Sequence, residues 1–166
     1  MRNFPKALVA LLLCCCMLCG CSLIPDNLEP IVLTVEDLTI TMPGYYENLV
    51  SSKNANLVEG FFLYGFSEIM VTGIREAYDL FEEVPTLEAY ANKLITDNEL
   101  NTQIEVIDGL TTFTYRQLDN GESYTYITAV FAGTDAFWMV HAGCTTLNFE
   151  VAKEKLMDIL KTIEVK

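Results

Sequence analysis

Phe61-Phe62-Leu63-Tyr64-Gly65-Phe66 and Ile69-Met70-Val71-Thr72-Gly73-Ile74, with Ser67-Glu68 between them, decide the reading of this chain. Each run has strand length and is rich in aromatic and β-branched residues. Neither alternates apolar with polar. A strand with one face in water would alternate, so both faces of these strands are expected to be buried. Gly65 and Gly73 inside them mark bulges or close approaches.

Downstream, the pattern continues. Thr111-Thr112-Phe113-Thr114-Tyr115-Arg116-Gln117 reads as a strand, and Ser123 to Phe131 reads as its return. Between them Asp119-Asn120-Gly121-Glu122 is a hairpin signal, because Asn-Gly accepts the positive φ angles of a type I′ turn. Ala136 to Ala142 is the last strand. In it Phe137, Met139 and His141 face one way, and Trp138, Val140 and Ala142 the other.

Upstream, Ile31-Val32-Leu33-Thr34-Val35 and Leu38-Thr39-Ile40-Thr41-Met42 are strand material ended by Pro43-Gly44. Tyr45 to Val50 fits a short strand or a turn of helix. Two segments carry helical spacing instead. Thr86 is the expected N-cap of a helix running to about Asn98, with Leu87, Tyr90, Leu94 and Ile95 on one face. Asn148 is the expected N-cap of a closing helix whose apolar face is Phe149, Ala152, Leu156, Ile159, Leu160 and Ile163. Two helices far apart in sequence, with a sheet apolar on both faces, imply an α+β fold: an antiparallel sheet with one helix on each face, a three-layer α/β/α sandwich.

The amino-terminal end is of another kind. Arg2 and Lys6 precede an apolar run from Ala7 to Leu18, shorter than the roughly 20 residues of a membrane span. The run closes on Leu18-Cys19-Gly20-Cys21, which resembles the lipobox of bacterial lipoproteins. In that family the last cysteine is joined to diacylglycerol, and a peptidase cuts just before it. Cleavage needs a small residue at the preceding position. Cys14 and Cys19 follow leucines and Cys15 and Cys16 follow cysteines, so Gly20 singles out Cys21. The resemblance implies a signal peptide over 1–20, a lipidated Cys21 with a tether over 21–32, and a globular domain over 33–166. The alternative is an uncleaved anchor helix. Pro25 and Pro30 mark the tether as a connecting arm, and about nine residues reach roughly 30 Å at most.

Charge and cysteine usage narrow the partners. The chain has 10 Lys+Arg against 23 Asp+Glu, a formal net charge of −13. The leader carries two of the cations and no acid. Such a surface disfavours nucleic acid and anionic head groups, so membrane attachment falls to the lipid. Of 6 cysteines only Cys144 lies in the domain. With Cys21 acylated it has no partner, which excludes a disulfide framework.

The domain resembles the PsbP-like fold of photosystem extrinsic subunits and Ran-release factors. The likeness is carried by Thr39-Ile40-Thr41-Met42-Pro43-Gly44, by Thr86-Leu87-Glu88-Ala89-Tyr90, and by Ala136 to Cys144 followed by the closing helix. The chain also resembles small lipoproteins of Gram-positive firmicutes with that domain behind a lipobox. Photosystem members assist metal retention and the Ran factors bind a GTPase, and neither site maps onto numbered residues here.

Catalytic constellations are sparse. His141 is the only histidine. Its odd separation from Cys144 places the two on opposite faces if both are in strand, against a Cys–His dyad. There is no Gly-x-Ser-x-Gly elbow, phosphate loop, zinc spacing or calcium loop. Glu76, Asp79, Glu82 and Glu83 could gather a hard cation, although such a loop is more often simply solvated. Tyr45, Tyr46, Phe61, Phe62, Tyr64, Tyr124, Tyr126 and Trp138 could line a groove, with core packing the default and Tyr45 and Tyr46 the expected exposed pair. The sequence thus implies a non-enzymatic, lipid-anchored binding or accessory domain on the extracytoplasmic face of the cell membrane. It has no expected catalytic residue, cofactor or metal, and an envelope protein or ligand as partner. The alternatives are an envelope receptor for a small ligand or divalent cation, and a hydrolase using Cys144.

Overall fold

A computed structural model describes residues 28–50 and 60–166. Gly20, Cys21 and most of the tether lie outside the described residues, as does the leader. The element order is β1 (Ile31–Val35), β2 (Leu38–Met42), β3 (Glu47–Asn48), β4 (Phe62–Phe66), β5 (Ile69–Ala77), α1 (Leu87–Asp97), β6 (Glu105–Ile107), β7 (Leu110–Asp119), β8 (Glu122–Ala132), β9 (Ala136–Thr145), α2 (Phe149–Lys161) and β10 (Glu164–Val165). A single 3-10 turn, Tyr78–Leu80, follows β5.

The fold is α+β with antiparallel sheets. Seven strands form the large sheet in the order β3-β4-β5-β9-β8-β7-β6. Its centre is β9, paired to β5 from Met70↔Gly143 to Ala77↔Ala136 and to β8 from Tyr124↔Thr145 to Ala132↔Phe137. The β7–β8 hairpin turns at Asn120 and Gly121, with φ of 49° and 88°. Two consecutive positive φ values are the type I′ geometry whose twist matches the strands it joins.

The remaining three strands make a separate small sheet, β1-β2-β10. The sequence reading does not anticipate it. Glu164-Val165 is too short to carry a period, and it becomes a strand only by pairing with Thr39 and Leu38 of β2.

β9 divides the core. Trp138, Val140, Ala142 and Cys144 enter one buried cluster with α2 (Phe149, Ala152, Leu156, Met157, Ile159, Leu160) and with Leu38, Ile40 and Met42 of the small sheet. Phe137 enters a second cluster with Tyr90, Ala91 and Leu94 of α1 and with Phe113 and Val130, while Met139 packs against it. The period of two along β9 therefore sends alternate residues to different buried clusters. Gly73 allows this packing: a Cβ there would sit 1.9 Å from the Phe62 ring.

Capping differs between the helices. Thr86 Oγ1 accepts from the Ala89 amide at 3.2 Å, an ordinary N-cap. Asn148 stands at the start of α2 but its side chain makes no cap hydrogen bond. Its Nδ2 instead donates to Glu68 Oε2 at 2.6 Å, because the β4–β5 turn brings that carboxylate within reach. Tyr46 also departs from expectation. It is 4% exposed, packed in the α2-side cluster, because Tyr46 N–H bonds Pro43 O and the turn folds the ring inward. Burial, then the neighbouring Tyr45, raises its pKa.

Candidate functional site

Among the described residues, the face of the large sheet that packs against Tyr90, Ala91 and Leu94 of α1 is only partly covered. α1 has 11 residues, about 16 Å of helix. β7, β8 and β9 have 10 or 11 residues each, about 33 Å of strand. The helix is thus about half as long as these strands. Where it stops, a cleft of about 410 Å³ opens. Ile74, Leu94, Leu100, Phe113 and Met139 give it an apolar floor, and Asn98, Tyr115, Arg116, Gln117 and His141 line the rest.

His141 sits in this cleft on the central strand. Its Nδ1 lies 2.6 Å from Thr128 Oγ1 and 3.4 Å from the Tyr115 hydroxyl. Thr128 is its cross-strand partner on β8, so register alone delivers that contact. Burial depresses the imidazole pKa to about 4, which keeps the ring neutral near pH 7. Burial also pushes the Tyr115 hydroxyl up to about 12, with the neighbouring Tyr126 adding to the shift.

Beyond the cleft the uncovered half continues as a row of tyrosines. Tyr115 and Tyr126 are directly opposed across β7 and β8. Their ring centroids are 5.4 Å apart at an interplanar angle of 24°. Tyr124, two residues along, lies 6.3 Å from Tyr126 at 26°. All three rings are half-buried. Gly143 makes room for them, since a Cβ there would lie 2.3 Å from Tyr126 Cδ1. The row ends at the hairpin tip, where the Tyr124 hydroxyl donates to Glu122 Oε2 at 2.9 Å and Asp119 stands opposite Glu122.

Cys144 belongs to neither feature. It is fully buried on the α2 side, with a pKa raised by burial and then by the charge of Glu68. His141 and Cys144 thus lie on opposite faces of β9, and no nucleophile–base pair forms between them. The acidic segment does not converge either. Glu76 is at the end of β5 and Asp79 in the turn beyond, and among the described residues no three His, Cys, Asp or Glu side chains gather to hold a metal ion. Of the aromatics named as groove candidates, Tyr46, Phe62 and Trp138 are in the core, whereas Tyr124 and Tyr126 lie on the open face. Tyr115 was not among them. Its signal was the alternation with Phe113 and Gln117 in β7, which aligns it with Tyr126 once the hairpin register is known.

No protein-family model matches the chain, and no curated protein sequence does. Solved structures share its architecture. The solution structure of cyanobacterial PsbP (CyanoP) from Synechocystis sp. PCC 6803 superposes with a TM-score of 0.56 at 8% identity, covering 90% of this chain and 99% of that one. A protein from Bacteroides thetaiotaomicron gives 0.56 at 10% identity, covering 83% of this chain and 48% of that one. The class is thus an α+β domain built on an antiparallel sheet, and within that class the fold is PsbP-like. At these identities the likeness is one of fold alone. Among the described residues no helix is long and apolar enough to cross a membrane.

Proposed function

We propose that this chain is a lipid-anchored, non-enzymatic binding domain of the bacterial cell envelope, held by diacylglycerol on Cys21 after cleavage behind Gly20. In this reading the domain is a three-layer sandwich with a helix on each face. Its working surface is the half of the sheet that α1 leaves uncovered. The observation that carries the reading is that uncovered half. It offers an apolar-floored cleft and a row of half-buried tyrosines, while the one domain cysteine is buried away from the one histidine. A binding surface needs such mixed lining, with apolar area for affinity and a few placed polar groups for orientation.

Two measurements test this. A photo-crosslinking residue at Gln117, on the exposed rim of the cleft, is expected to capture one envelope protein reproducibly in intact membranes. Capture of nothing would remove the partner. Metabolic labelling with palmitate is expected to mark the wild type and not Cys21→Ser; equal labelling of both removes the anchor. A second reading, a receptor for a small ligand, is favoured by the size of the cleft. Stabilisation against heating by a sugar or peptide, abolished by His141→Ala, would select it. A divalent cation has less support, because no ligand cluster faces the cleft among the described residues.

A further inference from the structure

The geometry points to an extended polypeptide segment bearing arginine or lysine as the occupant of the tyrosine row. This deepens the reading of the uncovered half of the sheet as the binding surface and rests on it. Tyr115, Tyr126 and Tyr124 form a continuous track of nearly parallel π systems from the cleft to the hairpin tip. A cation within about 6 Å of such a ring is attracted by its quadrupole, and more strongly where water is partly excluded. The rings are half-buried, which partly desolvates them.

Charge selects among ligands with a flat apolar face. The far end of the track carries Asp119 and Glu122, and among the described residues neither is in a salt bridge. Among the described residues Glu122 accepts only from the neutral Tyr124 hydroxyl. At the near end burial keeps His141 neutral near pH 7, so it offers no competing positive charge. Arg116 is the one cation lining the cleft, and it projects from the other parity of β7, whereas Tyr115 and Gln117 share the track's side. The whole chain is acidic, so long-range attraction favours a basic partner as well. A neutral sugar would use the rings but leave the two carboxylates without ionic partners. The apolar cleft at the near end would take a neighbouring apolar side chain of the same segment.

The test uses the full-length protein in nanodiscs and two probes, an arginine-alternating nonapeptide and a neutral β-linked hexasaccharide, followed by calorimetry. The peptide is expected to bind, and to bind less tightly as salt rises. Tyr126→Ala should weaken it by about tenfold and Tyr126→Phe by less than about threefold, since the ring and not the hydroxyl holds the cation. The pair Asp119→Asn with Glu122→Gln should weaken it several-fold and flatten the salt dependence. Gly143→Ala, whose Cβ would meet the Tyr126 ring at 2.3 Å and the Thr125 carbonyl at 2.7 Å, should displace both and weaken binding while leaving the ring in the chain. Unchanged circular dichroism and a cooperative melt above the assay temperature confirm that each variant is folded. Peptide binding that ignores Tyr126→Ala, the paired carboxylate changes and Gly143→Ala overturns the inference, as does binding of the hexasaccharide alone or of neither probe. If the Gln117 crosslink still captures a partner in those cases, the binding surface stands and only the basic occupant fails.

Discussion

The two faces of the large sheet are made from the same three long strands and finished in opposite ways. On the α2 side, every second residue of β9 from Trp138 to Cys144 is fully buried. A helix and a second sheet share the work of covering it, and they contribute Leu38, Ile40, Leu156 and Leu160, none with measurable exposure. On the α1 side the buried set is smaller, Phe137 with Tyr90, Ala91, Leu94, Phe113 and Val130, and it ends where the helix ends. Beyond it stand tyrosines, a histidine and an open cleft. The two faces divide the labour. The closed face holds the domain together, and the open face is free to keep polar groups at the surface that a core would not tolerate.

The comparison can be broken by perturbing each face in turn. The largest effect is expected on the closed face. Trp138→Ala removes a fully buried ring and the 2.6 Å bond from its Nε1 to Asp37 Oδ1, and should cost about 3–5 kcal/mol. Thermal unfolding should show a fall in Tm of about 10 °C or more. On the open face Tyr126→Ala should cost about 1 kcal/mol or less, because its ring is only half-buried. Equal costs for the two would erase the distinction between the faces.

The acid side of the stability curve offers a second probe. The unfolded chain protonates His141 near its ordinary pKa of 6.5, whereas the folded chain resists until about 4. Between those values the unfolded state holds the extra proton, so stability falls as pH drops through the window. The ring partly opens to the cleft, and the loss expected is on the order of 1–2 kcal/mol. Urea titrations at pH 7 and pH 4.5 should show this loss in the wild type and a smaller one in His141→Gln.

The last effect has the opposite sign. The Tyr90 hydroxyl is buried without a hydrogen bond among the described residues, and burial followed by the charge of Glu76 raises its pKa. Its ring stacks on Phe137 at 4.2 Å. Tyr90→Phe keeps the stack and removes the orphaned group, so a gain of up to about 1 kcal/mol is expected by denaturant unfolding.

Where local chemistry determined an element, the sequence was enough. Asn120-Gly121 placed the hairpin, Thr86 placed the start of α1, and the parity of β9 placed His141 and Cys144 on separate faces. Elements that depend on distant partners were not legible. β10 has two residues and no pattern of its own; only Leu38 and Thr39 make it a strand. Asn148 has the right identity for an N-cap, yet Glu68, 80 positions away, claims its amide. Tyr45 and Tyr46 look equivalent in sequence, but the turn after Pro43 buries one ring more than the other. The candidate site suffered most. Tyr115, Tyr124 and Tyr126 become a row only through the β7–β8 register, and a cleft at the end of α1 depends on how far the helix extends over the sheet.

The pairing of β10 with β2 bears on the order of folding. Val165 lies against Leu38, the Thr162 hydroxyl binds the Thr41 carbonyl at 3.0 Å, and the Lys166 amide binds the Asp37 carbonyl at 3.1 Å. Synthesis delivers the β1–β2 hairpin some 121 residues ahead of Thr162, so the hairpin must wait for these partners before its sheet can close. Contacts of such long sequence separation slow the search. While they are missing, Leu38, Ile40 and Met42 lack the helix that covers them. Removing Glu164 and Val165 would leave α2 in place but open one edge of β2, so the small sheet would lose its third strand.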